Sequence, residues 1–173
     1  MSNQEQTINV NSVSQLVGAA PADVEAKINA LIQHAELKGI DTTPSAPVVS
    51  EAFSAVDGCQ TYSYDIWIIP GILWVEGHID LCNIGQPDWC VKVYMEVHVP
   101  FFTLWKGNFS IGPCGSGTSN QEYKQCITVA VAGLSGTLCV GVDVGDPTCV
   151  FVSGNLCAGR HCTGEFKISL LCI

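Results

Sequence analysis

The residues best suited to chemistry lie between Glu76 and Val99, in the stretch EGHIDLCNIGQPDWCVKVYMEVHV. Two alternating runs flank a turn at Gly85-Gln86-Pro87-Asp88, with one cysteine on each side of it. Successive side chains of a strand point to opposite faces. Leu73, Val75, Gly77, Ile79 and Leu81 therefore share an apolar face with Val91, Val93, Met95, Val97 and Val99. The other face carries Trp74, Glu76, His78, Asp80 and Cys82, then Cys90, Lys92, Tyr94, Glu96 and His98. Imidazoles and carboxylates on one surface are the donor set of a mixed nitrogen and oxygen metal site.

Two registers preserve these faces. One sets Cys82 opposite Cys90, Asp80 opposite Lys92 and Glu76 opposite Glu96, where facing like charges cost some tenths to about 1 kcal/mol. The other pairs His78 with Glu96 and Glu76 with His98, gathering four possible metal ligands. The sequence leaves both open. A half-exposed strand alternates polar with core residues in any case, so a solvated sheet face is the first reading, and no cofactor is expected.

Other motifs are weaker. The segment PCGSGTSN, residues 113–120, is rich in Gly and Ser but lacks the Lys-Ser/Thr ending of a phosphate loop, and reads as a surface loop. His161 and Cys162 are neighbours in sequence, which on a strand point apart, so they make a poor base and thiol pair. His34 falls on a helix and reads as solvent-facing. Neither a Gly-x-Ser-x-Gly elbow nor a His-Glu-x-x-His helix occurs. Asn108-Phe109-Ser110 fits the glycosylation pattern, which matters only on a eukaryotic secretory route. Trp67, Trp74, Trp89, Phe101, Phe102 and Trp105 cluster in sequence, and Trp74 and Trp89 are expected to be exposed, where an indole can anchor a ligand or a protein surface.

What must position these residues is read from the rest of the chain. All ten cysteines (Cys59, Cys82, Cys90, Cys114, Cys126, Cys139, Cys149, Cys157, Cys162 and Cys172) lie in the last two thirds, with no Cys-x2-Cys knuckle among them. That density points to disulfides rather than to structural zinc. Cys82–Cys90, Cys139–Cys149 and Cys157–Cys162 are the locally plausible pairs, although bonds across sheets or between chains fit equally. The 173 residues are 47% hydrophobic and only 13% charged, enough for one domain with an arm and more apolar than an isolated soluble surface needs. A net charge of −9 with seven Lys and Arg argues against nucleic acid. The longest apolar run, Ile66 to Val75, is broken by Pro70-Gly71, so no membrane span is expected. The first residues, MSNQEQTINV, show no recognisable signal peptide.

Residues 1–58 read as an N-terminal arm and 59–173 as a cysteine-rich β-domain. Pro21 to Lys38 has the marks of an amphipathic helix: proline at its start, Asp23 and Glu25 in the first turn, Lys38 at the end and Gly39 beyond. Val24, Ile28, Leu31 and Ala35 form its apolar face. Ser12 to Val17 suits a helical turn ending at Gly18, and residues 39–58 have linker composition. Beyond Cys59, runs near 61–69, 72–82, 90–98, 101–111, 123–132, 137–144, 149–153 and 164–172 alternate as strands. About eight such strands imply a mainly β fold, an antiparallel β-sandwich of jelly-roll-like kind. The segments Gly85–Val93 and Gly145–Val152 look alike, which would suit a duplicated hairpin.

In layout the chain resembles subunits of disulfide-linked extracellular fibres, such as bacterial spore appendages, which also join an N-terminal connector to a β-domain. The resemblance implies a location outside the cell or on a cell or spore surface. The leading expectation is accordingly a non-enzymatic subunit that assembles with copies of itself into a disulfide-stabilised fibre or surface layer. The arm residues Val24, Ile28, Leu31, Val48, Val49 and Phe53 would dock on a neighbour, and a segment such as Ala46–Val56 would add a strand to its sheet. The alternative is a secreted lectin-like or toxin-like module binding a carbohydrate or cell surface through Trp74, Trp89 and the Gly115–Asn120 loop. A third is a metal-dependent enzyme with a cupin-like site at Glu76, His78, Glu96 and His98.

Overall fold

The computed structural model describes residues 6–51, 58–114 and 123–173; Phe53 and the Gly115–Asn120 loop lie outside them. The chain opens with strand β1 (Gln6–Asn9), helices α1 (Val10–Val17) and α2 (Pro21–Lys38), and strand β2 (Val48–Glu51). There follow β3 (Cys59–Ile69), β4 (Leu73–Cys82), β5 (Cys90–Val99), β6 (Phe102–Ile111), β7 (Lys124–Val131), β8 (Leu134–Asp143), β9 (Cys149–Ala158), β10 (His161–Cys162) and β11 (Phe166–Cys172). Two sheets form. One has the order β2-β3-β4-β5-β6; the other runs β1-β7-β8-β9-β10, with β11 also on β9. All pairings are antiparallel except β1 on β7. The mainly β, sandwich-like architecture is the one the strand pattern implies.

Parity builds the core. Val75, Ile79, Val91, Val93, Met95 and Val97 of one sheet, and Ile127, Val129, Leu138, Val140, Val150 and Val152 of the other, are at most 1% exposed. Burying a side chain of this size contributes about 1.5–3 kcal/mol relative to leaving it in water.

The helices start and stop where local chemistry dictates. Asn9 and Ser12 cap α1 reciprocally: the Ser12 backbone N–H donates to Asn9 Oδ1 and the Asn9 backbone N–H donates to Ser12 Oγ, both at 2.9 Å. Gly18 ends it in the left-handed region at φ 73°. Pro21 opens α2, whose Val24, Ile28 and Ile32 are buried while Leu31 is half-buried. The surface they cover belongs to the same chain. Ile32 seats on Gly133 and Gly159, where a Cβ at Gly133 would come within 2.7 Å of it. Glu36 meets His161 at 3.2 Å, and Lys27 lies over the Phe102 ring. These partners sit at the turns after β5, β7 and β9, so α2 closes that end of the sandwich. The helix expected to dock on a neighbour docks on its own chain, because the turns leave an apolar opening beside it.

The linker behaves likewise. Ser45 exchanges hydrogen bonds with Trp67, and Val48 and Val49 pair with Asp65 and Tyr64 of β3. The strand expected to complete a neighbouring sheet completes this chain's own.

All ten cysteines are paired: Cys59–Cys82, Cys90–Cys114, Cys126–Cys139, Cys149–Cys172 and Cys157–Cys162. Only the last of the three locally plausible pairs forms. Cys82 does lie opposite Cys90, but Cys59 lies opposite Cys82 as well. In an antiparallel sheet a residue makes a close, non-hydrogen-bonded pair with one neighbouring strand and a wider, hydrogen-bonded pair with the other. Cys59 and Cys82 have Cα atoms 4.0 Å apart, which identifies theirs as the close pair. Cys139 faces Ser153 rather than Cys149, and bonds instead to Cys126, its close partner on β7. Every bond joins neighbouring segments of one sheet; none crosses between sheets. The first four sit at the end away from α2, where Trp89 packs on Gly112 and Tyr123. Trp89, expected to be exposed in the turn, is half-buried there.

Peptide mapping of the non-reduced protein should return these five pairs and none between chains. Because Ile28 is fully buried by α2 packing, Ile28→Ala should lower stability by about 2–5 kcal/mol, read as a reduced midpoint in guanidinium unfolding without reductant.

Candidate functional site

The outward face of β3, β4 and β5 holds the densest set of polar and aromatic side chains. Its register is the first of the two considered: Cys82 faces Cys90, Asp80 faces Lys92 and Glu76 faces Glu96. Asp65 faces Glu76 in turn, so three carboxylates form a row across three strands, with Lys106 of β6 beyond Glu96. His98, one pleat further along, faces Trp74 on one side and Thr103 on the other.

The imidazole of His98 reaches diagonally into the carboxylates. Its Nε2 lies 3.1 Å from Glu76 Oε1 and 3.0 Å from Glu96 Oε1. Neither oxygen is in line for a hydrogen bond, and Nε2 is buried without one. The remaining atoms of the group are held from outside. Thr103 Oγ1 is 3.2 Å from His98 Nδ1, and the Tyr94 hydroxyl donates to Glu96 Oε2 at 2.8 Å. The Trp74 ring stacks on His98 with centroids 5.1 Å apart, and Trp67 packs at 4.8 Å on Trp74. The side chain of His98 is 12% exposed, that of Glu96 24% and that of Glu76 44%, so the cluster opens to solvent on the Glu76 side.

Of the four ligands expected from sequence, Glu76, Glu96 and His98 come together and His78 does not. His78 faces Tyr94 and stacks on its ring at 5.1 Å, because the adopted register pairs it there instead of with Glu96. Thr103 reaches His98 through a one-residue bulge: β6 inserts Leu104 between the partners of Val97 and His98. Such an insertion re-aims the next side chain, and no turn or alternation signal in the sequence announces it. Tyr94 was visible by parity on this face, but its role depends on the register.

Beside the cluster lies a groove of about 450 Å³, lined by Ser50, Ser63, Asp65, His78 and Tyr94, with Glu76 and Glu96 on its wall. Gly77 is required here, since a Cβ would collide with the Tyr94 carbonyl. A second groove, about 560 Å³, lies on the outer face of the other sheet near Lys124, Asn155 and Lys167. Its Lys167 is engaged by Asp143 at 2.8 Å and by the Phe151 ring.

The other described sequence candidates make contacts within the chain. Trp74 is held between Trp67 and His98, and Trp89 against Tyr123 and Gly112, so the two indoles expected to meet a ligand are used in packing. Cys162 is bonded to Cys157, and His161 pairs with Glu36. His34 is exposed on α2.

Compared with known proteins, the chain matches no family model, no curated protein and no solved structure.

Two tyrosines respond to this surface. The hydrogen bond that Tyr94 donates to Glu96 holds its pKa above the ordinary value. Tyr64 is buried, and its hydroxyl donates to the Tyr94 carbonyl at 3.0 Å. Burial, followed by the nearby charges of Glu96 and Glu76, pushes the Tyr64 pKa well above its ordinary 10.0. Below that value both folded and unfolded chains keep the proton, and no pH dependence arises. Above it the unfolded chain releases the proton while the folded chain keeps it, so stability falls as pH rises. The guanidinium midpoint should be lower at about pH 11 than at about pH 8, with a smaller drop in Tyr64→Phe.

Proposed function

We propose that this protein is a non-enzymatic structural subunit that works in oxidising extracellular surroundings and associates with copies of itself along one flank. The observation that carries the reading is the edge strand β11. It pairs with β9 alone among the described residues. Its sequence, FKISLLC, contains no proline and a single charge, and it leads into Ile173, which is 47% exposed. A sheet edge with little charge can act as a template for pairing with another chain, here with a register shift between Ser169 and Leu171.

The partner edge of the other sheet lies on the same flank, since β3, next to β2, packs near β9. There Val48 is 67% exposed. The opposite flank is occupied: α1 packs against β6, and Trp105 Nε1 donates to Gln6 Oε1 at 2.9 Å. One open flank favours a closed, two-fold pair over an open-ended fibre, which needs two different complementary surfaces. With the arm and all ten cysteines engaged within one chain, this association is non-covalent.

The extracellular part of the reading rests on the cysteines. By loop-closure entropy, loops of 13 to 24 residues give about 3 kcal/mol per bond. That contribution exists only where thiols stay oxidised. No helix among the described residues is long and apolar enough to cross a membrane.

Native mass spectrometry and size-exclusion chromatography of the full chain, with thiols blocked, should show a dimer that persists without covalent linkage. Ser169→Lys, at an exposed position of β11, should shift it to monomer. A wild-type monomer at every concentration tested would overturn the reading.

A further inference from the structure

We propose that Glu76, Glu96 and His98 bind a divalent transition-metal ion of the zinc class. This goes beyond the structural role and does not rest on it. The three donor atoms, one imidazole nitrogen and two carboxylate oxygens, lie within 4.8 Å of one another. Nε2 is 3.0 and 3.1 Å from the two oxygens. Ligand bonds of about 2.0–2.2 Å at the tetrahedral angle set neighbouring donors roughly 3.3–3.6 Å apart, so the donors need only a small separation to admit an ion.

The orientation of His98 adds an independent reason. Nε2 is buried 3.0 and 3.1 Å from two carboxylate oxygens with no hydrogen bond to either, so all three donors are close enough to converge on one cation. The row formed by Asp65, Glu76 and Glu96 has Lys106 as its only lysine in register, so an added positive charge is favourable.

The surroundings have the form that fixes metal ligands. A ligating histidine usually has its other nitrogen held by a hydrogen bond, and a ligating carboxylate is itself hydrogen-bonded. Thr103 is positioned at Nδ1, and Tyr94 occupies Glu96 Oε2, leaving Oε1 for the ion. Trp74 fixes the plane of the ring. Mixed imidazole and carboxylate donors select zinc, and manganese or cobalt more weakly, over calcium or magnesium. The groove that Glu76 and Glu96 border leaves room beside the cluster for water or a small ligand.

The test uses the full oxidised chain, stripped with chelator at neutral pH, and titrated with zinc by calorimetry and with cobalt by visible absorption. One equivalent should bind, with a cobalt spectrum showing nitrogen and oxygen ligation. His98→Ala and Glu96→Gln should each abolish it, while His78→Ala and His161→Ala leave it intact. Thr103→Val, which keeps all three ligands, should weaken binding by about ten- to a hundredfold. Circular dichroism establishes that each variant is folded, and Glu96→Gln retains the side-chain shape should His98→Ala fail to fold. No stoichiometric binding to the wild type, or binding lost on His78→Ala or His161→Ala and kept in Glu96→Gln, would overturn the proposal.

Discussion

No disulfide crosses between the two sheets. The sandwich is held by contact between two apolar inner faces, almost all valine, isoleucine and leucine, and every other feature depends on that contact surviving. Because the disulfides join strands within a sheet, they keep each sheet in register without fixing one sheet on the other. Register matters for the core. A slip of one residue would turn an entire apolar row outward, so a bond between facing cysteines protects the inner face indirectly.

The same division of labour frees the outer faces. With stability carried inside, the solvent side of β3 to β5 tolerates arrangements that contribute little to folding, including a row of carboxylates and a histidine nitrogen without a hydrogen bond. Facing glutamates are unfavourable in isolation. Their persistence opposite each other, braced by Tyr94 and approached by His98, is what distinguishes this surface from an ordinary solvated sheet.

Much of the fold was legible because it follows from short-range rules. Alternation in Leu73–Leu81 and Val91–Val99 gave both the strands and their buried side, and Pro21, Asp23, Lys38 and Gly39 marked the helix. What escaped depends on relations between strands. Which cysteine bonds Cys82 turns on the alternation of close and wide pairs, a property of the sheet and not of any one strand. The placement of Thr103 beside His98 needs a bulge with no signature of its own. The destination of α2 was hidden for a related reason: its apolar face showed that a partner surface exists, but no local pattern says which turns leave an opening for it.

The five disulfides are not equally sheltered. Cys82, Cys90 and Cys139 are about 5% exposed, whereas Cys162 and Cys172 are open to solvent. Both accessible bonds fasten strands to β9. A thiol reagent would therefore meet this chain as a graded barrier, loosening β10 and β11 while the bonds among β3 to β6 are still shielded. Unravelling would have a direction, beginning at the border of one sheet and leaving the carboxylate-bearing sheet until last.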